Sequence, residues 1–359
     1  MQRIKHTEDY KSLSPIFDDL ERLYAELSWK ATTGGSGLFL QAYDESFLPI
    51  LRTFEIYSGY VFPAMIFEKK KYQQIKLPAF DPKNIIVCFS GGKDSFSNIR
   101  HYQKKGYNVY AYHIKGLNKT YSNEWESAQV LADKVGVPLY IDSVAYTGNH
   151  IWIEHPMKNM IMASMALNWG IRNGISTKVA YGTFRTAHLD DVSFETCAGD
   201  CTEMWDMFED VVRRVIPSFQ IYMPNHNFQT SYNALLKEPE YLSLTSSCLT
   251  PNRFRELFRK RTLKNYKTAE LMPNRCGCCW KCATEYIWFC DHDVLPYDQD
   301  YYIHCLEVLG NTMEQETGYR IHHVDYIWGN YFFYSMKKSK AYEVLKHAFI
   351  RARKIKIAD

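Results

Sequence analysis

The chain has 359 residues, of which 46% are hydrophobic and 23% charged, and its net charge is +3. This composition is typical of a folded globular protein and excludes an intrinsically disordered chain. Ten cysteines are too few for a disulfide scaffold at this length, so a dense cluster among them indicates metal binding. No run of 18 apolar residues and no apolar signal core occurs, which predicts a cytoplasmic protein without a membrane contact.

Residues 1–80 are predicted to be an N-terminal extension, and their role is not evident from the sequence. Asp18–Leu27 is expected to be a short helix, and Leu38–Gln41 is a candidate strand. Residues 47–60 mix aliphatic and aromatic side chains without a clean period. We therefore expect a small extra domain, or an embellishment on a sheet, that joins the rest of the chain at residues 78–83.

A strand, a glycine turn and the start of a helix are indicated by the stretch from Asn84 to Arg100. Residues 84–89 are an apolar run typical of a buried parallel strand, and Gly91 and Gly92 permit a tight turn around an anion. The positive end of the following helix would point at the same place. The predicted residues of a polyphosphate site are Ser90, Gly91, Gly92, Lys93, Asp94 and Ser95, in which Lys93 supplies charge and Asp94 can hold Mg²⁺ or orient the loop.

From residue 84 onward, predicted strands and helices alternate, which predicts an α/β fold with a doubly wound parallel sheet. Ligands of such sheets bind outside the carboxyl ends of the strands, so His113 at one strand end is a further candidate for the same site. The predicted helices cover residues 96–105, 122–135 and 157–170, and the predicted strands cover residues 108–113, 137–144 and 179–183.

A metal site is predicted near the other end of the chain, where three cysteines follow a C-x₂-C-x₂-C spacing and a fourth lies upstream. Four thiolates can close a tetrahedron around Zn²⁺, and an iron–sulfur cluster is the alternative. Cys278 can replace a neighbour in this register, and Cys290 can replace the upstream cysteine. The predicted ligands are Cys248, Cys276, Cys279 and Cys282.

The loop Ser90–Ser95 resembles the SGGxDS signature of the PP-loop ATP pyrophosphatase superfamily. With the S-C pair at Cys248 and the C-G-x-C-x-x-C run from Cys276, residues 84–290 resemble the QueC-like 7-cyano-7-deazaguanine synthase family. The resemblance implies a PP-loop, adenine nucleotide alpha hydrolase-like domain at 81–235 and a Cys₄ zinc-binding, helical region at 236–359. It also implies a homodimer, because homodimers occur in that family.

The activity implied by this resemblance is an ATP-dependent ligase reaction that forms AMP. The carboxylate of 7-carboxy-7-deazaguanine would attack the α-phosphate of ATP, and ammonia would then displace AMP to give the amide. A second adenylation would dehydrate the amide to the nitrile. ATP, Mg²⁺ and Zn²⁺ are the implied cofactors. The implied ATP-binding residues are Ser90, Gly91, Gly92, Lys93, Asp94, Ser95 and His113, with Lys93 and Asp94 as the catalytic residues.

The resemblance further implies a site for the deazaguanine base, in which Asp200 would accept protons from the base. Phe184 and Trp205 are aromatic residues that could stack on it. The chain departs from the family in having Lys158 where the family has arginine, and in its long insert at 249–275. The implied substrate-binding residues are Lys158, Asn159, Gly182, Asp200 and Cys201.

Three alternative functions remain open at this stage. QueC-like proteins of anti-phage defence cassettes are also similar, and for them a protein-linked acceptor is the expectation. A tRNA-modifying thiolase would use the basic stretches at 249–275 and 337–356 and a cysteine such as Cys197 or Cys201; with a net charge of +3 we do not favour nucleic-acid binding. A non-enzymatic nucleotide-sensing subunit would dock a partner through aromatic residues 326–334.

Overall fold

The structure is a computed structural model, and it forms two compact units. The first unit draws on Met1–Phe89, Asn98–Leu117 and Gly136–His226, and the second on Ser90–Ser97, Asn118–Val135 and Asn227–Asp359. Within these ranges the structure describes residues 3–6, 11–33, 42–58, 65–115, 124–147, 156–182, 202–224, 228–245, 257, 260, 266 and 271–315.

The strands of the described residues all belong to the first unit. They are β1 (Arg3–His6), β2 (Ala42–Asp44), β3 (Ile66–Glu68), β4 (Asn84–Cys88), β5 (Asn108–Lys115), β6 (Leu139–Thr147), β7 (Lys178–Ala180) and β8 (Gln220–Tyr222). Six of them form one sheet in the order β1-β6-β5-β4-β7-β8, and β2 pairs with β3 in a separate parallel ribbon.

The helices of the described residues are α1 (Pro15–Thr33), α2 (Leu48–Ser58), α3 (Lys93–Lys104), α4 (Glu124–Val135), α5 (Pro156–Arg172), α6 (Thr202–Arg213), α7 (Phe228–Lys237), α8 (Trp280–Asp291) and α9 (Gln299–Gln315). Helices α1, α2, α5 and α6 belong to the first unit, and α4, α7, α8 and α9 to the second. Helix α3 begins in the second unit and continues into the first. None of the described helices is both long and apolar enough to cross a membrane.

The predicted α/β fold with a parallel sheet is confirmed at this level of detail. Strands β4 to β8 pair in parallel, and only β1 runs antiparallel, at the edge beside β6. Every residue of β4 is buried, as expected for a central strand with apolar side chains on both faces. The strand order reverses at β4, since β5 and β6 lie on one side of it and β7 and β8 on the other. Such a switch point is where open α/β sheets bind ligands.

The N-terminal residues contribute to the same core as the sheet. Helix α1 is longer than the predicted Asp18–Leu27, and its apolar residues at helical spacing, among them Phe17, Leu20 and Leu27, are buried in a cluster that includes residues of β4 and α5. The same helix also buries the acidic Asp19 and Glu26, which interrupt the apolar pattern in the sequence. Burying each large apolar side chain contributes about 1.5–3 kcal/mol to stability.

Candidate nucleotide loop and thiol cluster

The loop that follows β4 is closed by its own serine hydroxyls. The Ser95 hydroxyl donates to the carbonyl of Gly92 at 3.0 Å and accepts from the backbone N–H of Ser90 at 3.3 Å. The backbone N–H of Gly92 donates to the Ser90 hydroxyl at 3.4 Å. The N–H of Phe96 donates to the Gly92 carbonyl, so helix α3 begins at Lys93 rather than at the predicted residue 96. The N–H groups of the first turn of α3 therefore border the glycine turn, and as in any helix they do not donate to carbonyls of the helix itself.

Gly91 occupies a position that other residues would fill poorly. Its φ is +76°, in the left-handed region, and a Cβ added to it would lie 2.9 Å from the backbone nitrogen of Ala128 near the start of α4. Because backbone atoms cannot shift as easily as the end of a side chain, the loop needs glycine here for both reasons. The predicted tight glycine turn is thus present in the structure.

The two charged residues of the loop form an ion pair with each other. The Lys93 ammonium is 3.1 and 3.0 Å from the two carboxylate oxygens of Asp94. The Lys93 side chain is buried, whereas the Asp94 side chain is 32% exposed. A ligand in solvent can therefore reach the carboxylate, and the buried amine lies directly behind it.

Two residues of α7, which the sequence analysis did not select, contact this pair. Ser231 is fully buried, and its hydroxyl donates to Asp94 Oδ1 at 2.6 Å. The Lys93 ammonium lies 5.3 Å from the centre of the Tyr232 ring, within the range of a cation–π contact. Ser231 lies 137 positions from Asp94, Tyr232 is similarly distant from Lys93, and no local motif marks either residue.

The predicted ATP ligand His113 is buried in the first unit. Its Nδ1 is 2.8 Å from the carbonyl oxygen of Phe89, the residue before the loop. Since a carbonyl only accepts, Nδ1 must carry the proton. Burial lowers the pKa of His113, and the hydrogen bond to Phe89 opposes this only in part. The neutral imidazole therefore holds the end of β4 against β5.

Three of the four predicted metal ligands lie together in the second unit. The sulfur atoms of Cys276, Cys279 and Cys282 are all within 4.8 Å of one another, with Cys279–Cys282 at 3.4 Å and Cys276–Cys282 at 3.9 Å. Sulfurs bound to one tetrahedral Zn²⁺ lie about 3.8 Å apart, given a Zn–S bond of about 2.3 Å. The cluster can therefore hold a metal ion such as Zn²⁺.

The backbone around the cluster forms a tight turn. Gly277 has a φ of +74°, and this brings the N–H of Cys278 to 3.4 Å from the sulfur of Cys276, to which it donates. Cys279 is the extended N-cap of α8, so Cys282 lies in the first turn of that helix. The positive φ of Gly277 and the extended backbone of Cys279 both favour an arrangement with the three sulfurs on one side of the turn.

The alternative metal ligands Cys278 and Cys290 both lie in the part of the chain that the structure describes. Cys278 offers its backbone N–H to the cluster, and its thiol is not part of the group of close sulfurs. Cys290 lies on α8 eight residues after Cys282, which is about 12 Å along the helix axis. Burial raises the pKa of the Cys290 thiol to about 11. Neither Cys278 nor Cys290 is in the group of close sulfurs among the described residues, and the identity of the fourth ligand stays a prediction because Cys248 lies outside them.

A buried ion pair connects the cluster to the chain after α7. The guanidinium of Arg275, next to Cys276, donates to Glu285 of α8 at 2.5 Å and to the carbonyls of Leu242 and Thr245 at 2.9 and 3.0 Å. Burial alone would lower the pKa of Arg275, but the charge of Glu285 raises it above its ordinary value, and the Cys282 thiol acts in the same direction. Arg275 is therefore a cation held beside the thiol cluster.

The predicted substrate residues that the structure describes lie in the first unit. Asn159 is in the first turn of α5, and its Oδ1 accepts a hydrogen bond from the Tyr181 hydroxyl at 2.8 Å. Gly182 directly follows Tyr181, so two of the predicted residues lie close together. Trp205, considered for stacking on a base, is fully buried between Tyr181 and Phe208. It is a core residue, and that interpretation was wrong.

Several predicted residues lie outside the part of the chain that the structure describes. The backbone of Lys158 is in α5, but its side chain is not described. The proposed fourth metal ligand, the proposed base acceptor and the thiolase candidates are also not described. These undescribed residues are Phe184, Cys197, Asp200, Cys201 and Cys248, together with most of the basic insert and all of residues 316–359.

Comparisons with known proteins do not assign this site. A scan against protein-family models found no matching family, and a search of curated proteins found no match.

Proposed function

We propose that the protein is an ATP-dependent ligase that adenylates a carboxylate, releases pyrophosphate and forms AMP. The observation that carries the proposal is the self-closed glycine loop after β4, with its Lys93–Asp94 pair at the entrance to α3. By its resemblance to 7-cyano-7-deazaguanine synthases, the acceptor would be 7-carboxy-7-deazaguanine and the nitrogen source ammonia.

The loop supports pyrophosphate as the leaving group. The N–H groups in the first turn of α3 and the positive end of the helix dipole favour an anion at this point. Lys93 adds a full positive charge, and its long side chain can move from Asp94 to a phosphate oxygen when the carboxylate gains another partner. Such fixed donors stabilise the charge that develops on the departing group.

The residues present fit the two metal ions expected for this activity, Mg²⁺ and Zn²⁺. Asp94, a carboxylate open to solvent, would hold Mg²⁺, which would neutralise phosphate charge. Cys276, Cys279 and Cys282 would hold a structural Zn²⁺, which would fix the turn at the start of α8.

The proposed reaction proceeds in two halves. A carboxylate oxygen of the acceptor attacks the α-phosphorus of ATP, the bond to the bridging oxygen breaks, and pyrophosphate leaves with the electron pair. Ammonia then attacks the activated carbonyl carbon and AMP leaves, which gives an amide. A second ATP would activate the amide oxygen, and loss of AMP and protons gives the nitrile. Lys93 and the N–H groups of the loop act on the leaving pyrophosphate in both halves.

The test is an assay of purified protein with ATP, Mg²⁺, ammonium and 7-carboxy-7-deazaguanine, in which chromatography follows the nucleotide and mass spectrometry follows the base. We expect AMP together with amide or nitrile. AMP without conversion of the base would keep the loop chemistry and indicate a protein or tRNA acceptor. ADP as the product would contradict the proposal, because the attack would then be at the γ-phosphorus.

The matched control is Lys93→Met, which keeps the length of the buried side chain but removes its charge. Loss of one such electrostatic contact lowers turnover by about 10²–10³-fold in other enzymes. AMP formation at the unchanged rate by this variant would show that a contaminant or another site is responsible.

A further inference from the structure

Ser231 and Tyr232 are neighbours on α7, and each contacts one of two neighbouring residues of the loop. Ser231 donates its hydroxyl to Asp94 at 2.6 Å, and the Tyr232 ring lies 5.3 Å from the Lys93 ammonium. Both α7 side chains are buried. One turn of α7 therefore determines where both charged side chains of the loop lie.

The contact with Tyr232 matters because the Lys93 amine is buried. A charged amine loses its hydration when it is buried, so it needs compensating partners. Asp94 supplies one, with both oxygens within 3.1 Å. The negative face of the Tyr232 ring supplies a second, and such a contact is stronger in a desolvated place than on the surface. This second partner remains when Asp94 turns towards a ligand.

Helix α7 is in turn held by α8. The Tyr232 ring stacks on Trp288 at 5.2 Å and meets Phe289 edge to face at 5.8 Å. Helix α8 begins at the thiol cluster, with Cys279 as its N-cap and Cys282 in its first turn. The contacts run without a gap from the cluster through α8 and Tyr232 to Lys93.

We propose that Ser231 and Tyr232 are positioning residues that hold Lys93 and Asp94 in the arrangement that receives a polyphosphate. Tyr232 holds the amine, and Ser231 holds the carboxylate. The thiol cluster supports both through α8. What the loop binds rests on the proposed function, but the placement of Lys93 by Tyr232 rests only on the contacts within the second unit.

The first experiment needs no nucleotide. The folded protein is treated briefly with an amine-acylating reagent, and peptide mass spectrometry measures how fast Lys93 reacts relative to exposed lysines. Tyr232→Leu removes the ring, whereas Tyr232→Phe keeps it. We expect Lys93 to react about tenfold faster in the Leu variant, as loss of a desolvated cation–π contact implies, and at the wild-type rate in the Phe variant.

The control is Tyr297→Leu, the same substitution at a tyrosine of the second unit that is 63% exposed. It should leave the Lys93 rate unchanged, and thermal unfolding checks that each variant is folded. Equal rates for Tyr232→Leu and Tyr232→Phe would overturn the inference, whether both match the wild type or both are raised, because the ring would then have no specific role.

The second experiment measures binding of Mg²⁺-pyrophosphate and of Mg²⁺-ATP by calorimetry in the same proteins and in Ser231→Ala. Tyr232→Leu should weaken binding about tenfold, and Tyr232→Phe should restore it. Ser231→Ala should raise the Mg²⁺ concentration needed for half-maximal binding, because the carboxylate is no longer oriented. An unchanged Mg²⁺ requirement in Ser231→Ala would contradict the role given to Ser231.

The two experiments separate the two proposals. If Lys93 reactivity responds as expected but the wild type binds neither pyrophosphate nor ATP, the positioning inference holds and the proposed function fails. If the wild type binds both ligands and Tyr232→Leu changes neither measurement, the function stands and the inference fails.

Discussion

Two of the carboxylate–cation pairs among the described residues have opposite character, and one lies in each unit. In the first unit, Asp44 is fully buried and Arg214 meets both of its oxygens, at 2.7 and 3.1 Å. In the second unit, Lys93 is buried and Asp94 is 32% exposed. We call Asp44–Arg214 the closed pair, because its carboxylate is buried, and Lys93–Asp94 the open pair, because its carboxylate is partly exposed.

The partners of the two carboxylates explain the difference. Asp44 also accepts hydrogen bonds from the backbone N–H groups of Ser46 and Lys70 at 3.0 and 3.1 Å. Burial alone would raise the pKa of Asp44, but hydrogen bonds from Arg214 and Ser46 hold it below its ordinary value. A carboxylate enclosed in this way serves stability, whereas one that faces solvent from a glycine loop can exchange its partner for a ligand.

The largest expected effect concerns the thiol cluster that supports the open pair. Cys282→Ser should remove bound metal and lower stability by several kcal/mol, since zinc contributes about 10–16 kcal/mol in small zinc-binding peptides. Elemental analysis and urea unfolding measure both quantities. Cys278→Ser is the matched control and should keep the metal, because its thiol is not in the group of three close sulfurs. Metal-free wild-type protein that is unaffected by chelators would contradict the assignment, and visible absorbance would indicate iron–sulfur instead of zinc.

The next largest effect is a difference in stability loss between the closed pair and the open pair when the aspartate of each is replaced by asparagine. Asp44→Asn should lower the free energy of unfolding by about 3 kcal/mol, the low end for a broken buried pair, because 34% of the Arg214 side chain is exposed. Asp94→Asn should cost less than this, because the Tyr232 ring remains beside the Lys93 amine and the flexible lysine side chain can turn its amine towards solvent. Urea unfolding of both variants measures the difference. Equal losses would remove the distinction between a closed and an open pair.

A smaller effect tests the shape of the loop. Gly91→Ala should lower stability by about 1–3 kcal/mol because of backbone strain and because its Cβ meets the backbone of Ala128. Gly106→Ala is a matched control, since Gly106 has the same φ of +76° but nothing within 4 Å of an added Cβ. Thermal unfolding should show a smaller loss for Gly106→Ala, and equal losses would mean that the contact with α4 does not constrain the loop.

The smallest effect concerns the pH dependence contributed by His113. Because burial lowers the pKa of His113 in the folded protein, the unfolded chain binds a proton below about pH 6.5 that the folded protein does not. Stability should therefore fall as the pH drops below that value and change little above it. His113→Asn, which retains a donor near the Phe89 carbonyl, should flatten this part of the curve in urea unfolding between about pH 7 and pH 5. A slope unchanged by the substitution would show that His113 does not contribute.

The features that the sequence predicted are those with a local signal. The buried run before the loop, the Gly91–Gly92 turn and the clustering of Cys276, Cys279 and Cys282 each depend on residues close together in the sequence, so their local structure is predictable from the sequence alone. The burial of Trp205 was also predictable, because Met204, Phe208, Val211 and Val212 are spaced as one apolar face of α6.

The features that were missed depend on contacts between distant residues. Ser231 lies 137 positions from Asp94, and Arg214 lies 170 positions from Asp44. A single serine or arginine in a sequence can have many roles, and only the tertiary structure selects one. Helix α2 was missed for another reason, because a helix in contact with several elements need not show a single apolar stripe.

The central claim is that the loop with Lys93 binds the polyphosphate of ATP, and the most direct test is a calorimetric titration with Mg²⁺-ATP, Mg²⁺-pyrophosphate and AMP. The account predicts that the wild type binds Mg²⁺-ATP and Mg²⁺-pyrophosphate more tightly than AMP. It also predicts that Lys93→Met loses about tenfold or more of its affinity for both, as expected for a charge-assisted contact of about 1.5–3 kcal/mol. The same affinities in the wild type and Lys93→Met, or no binding of either ligand by the wild type, would contradict it.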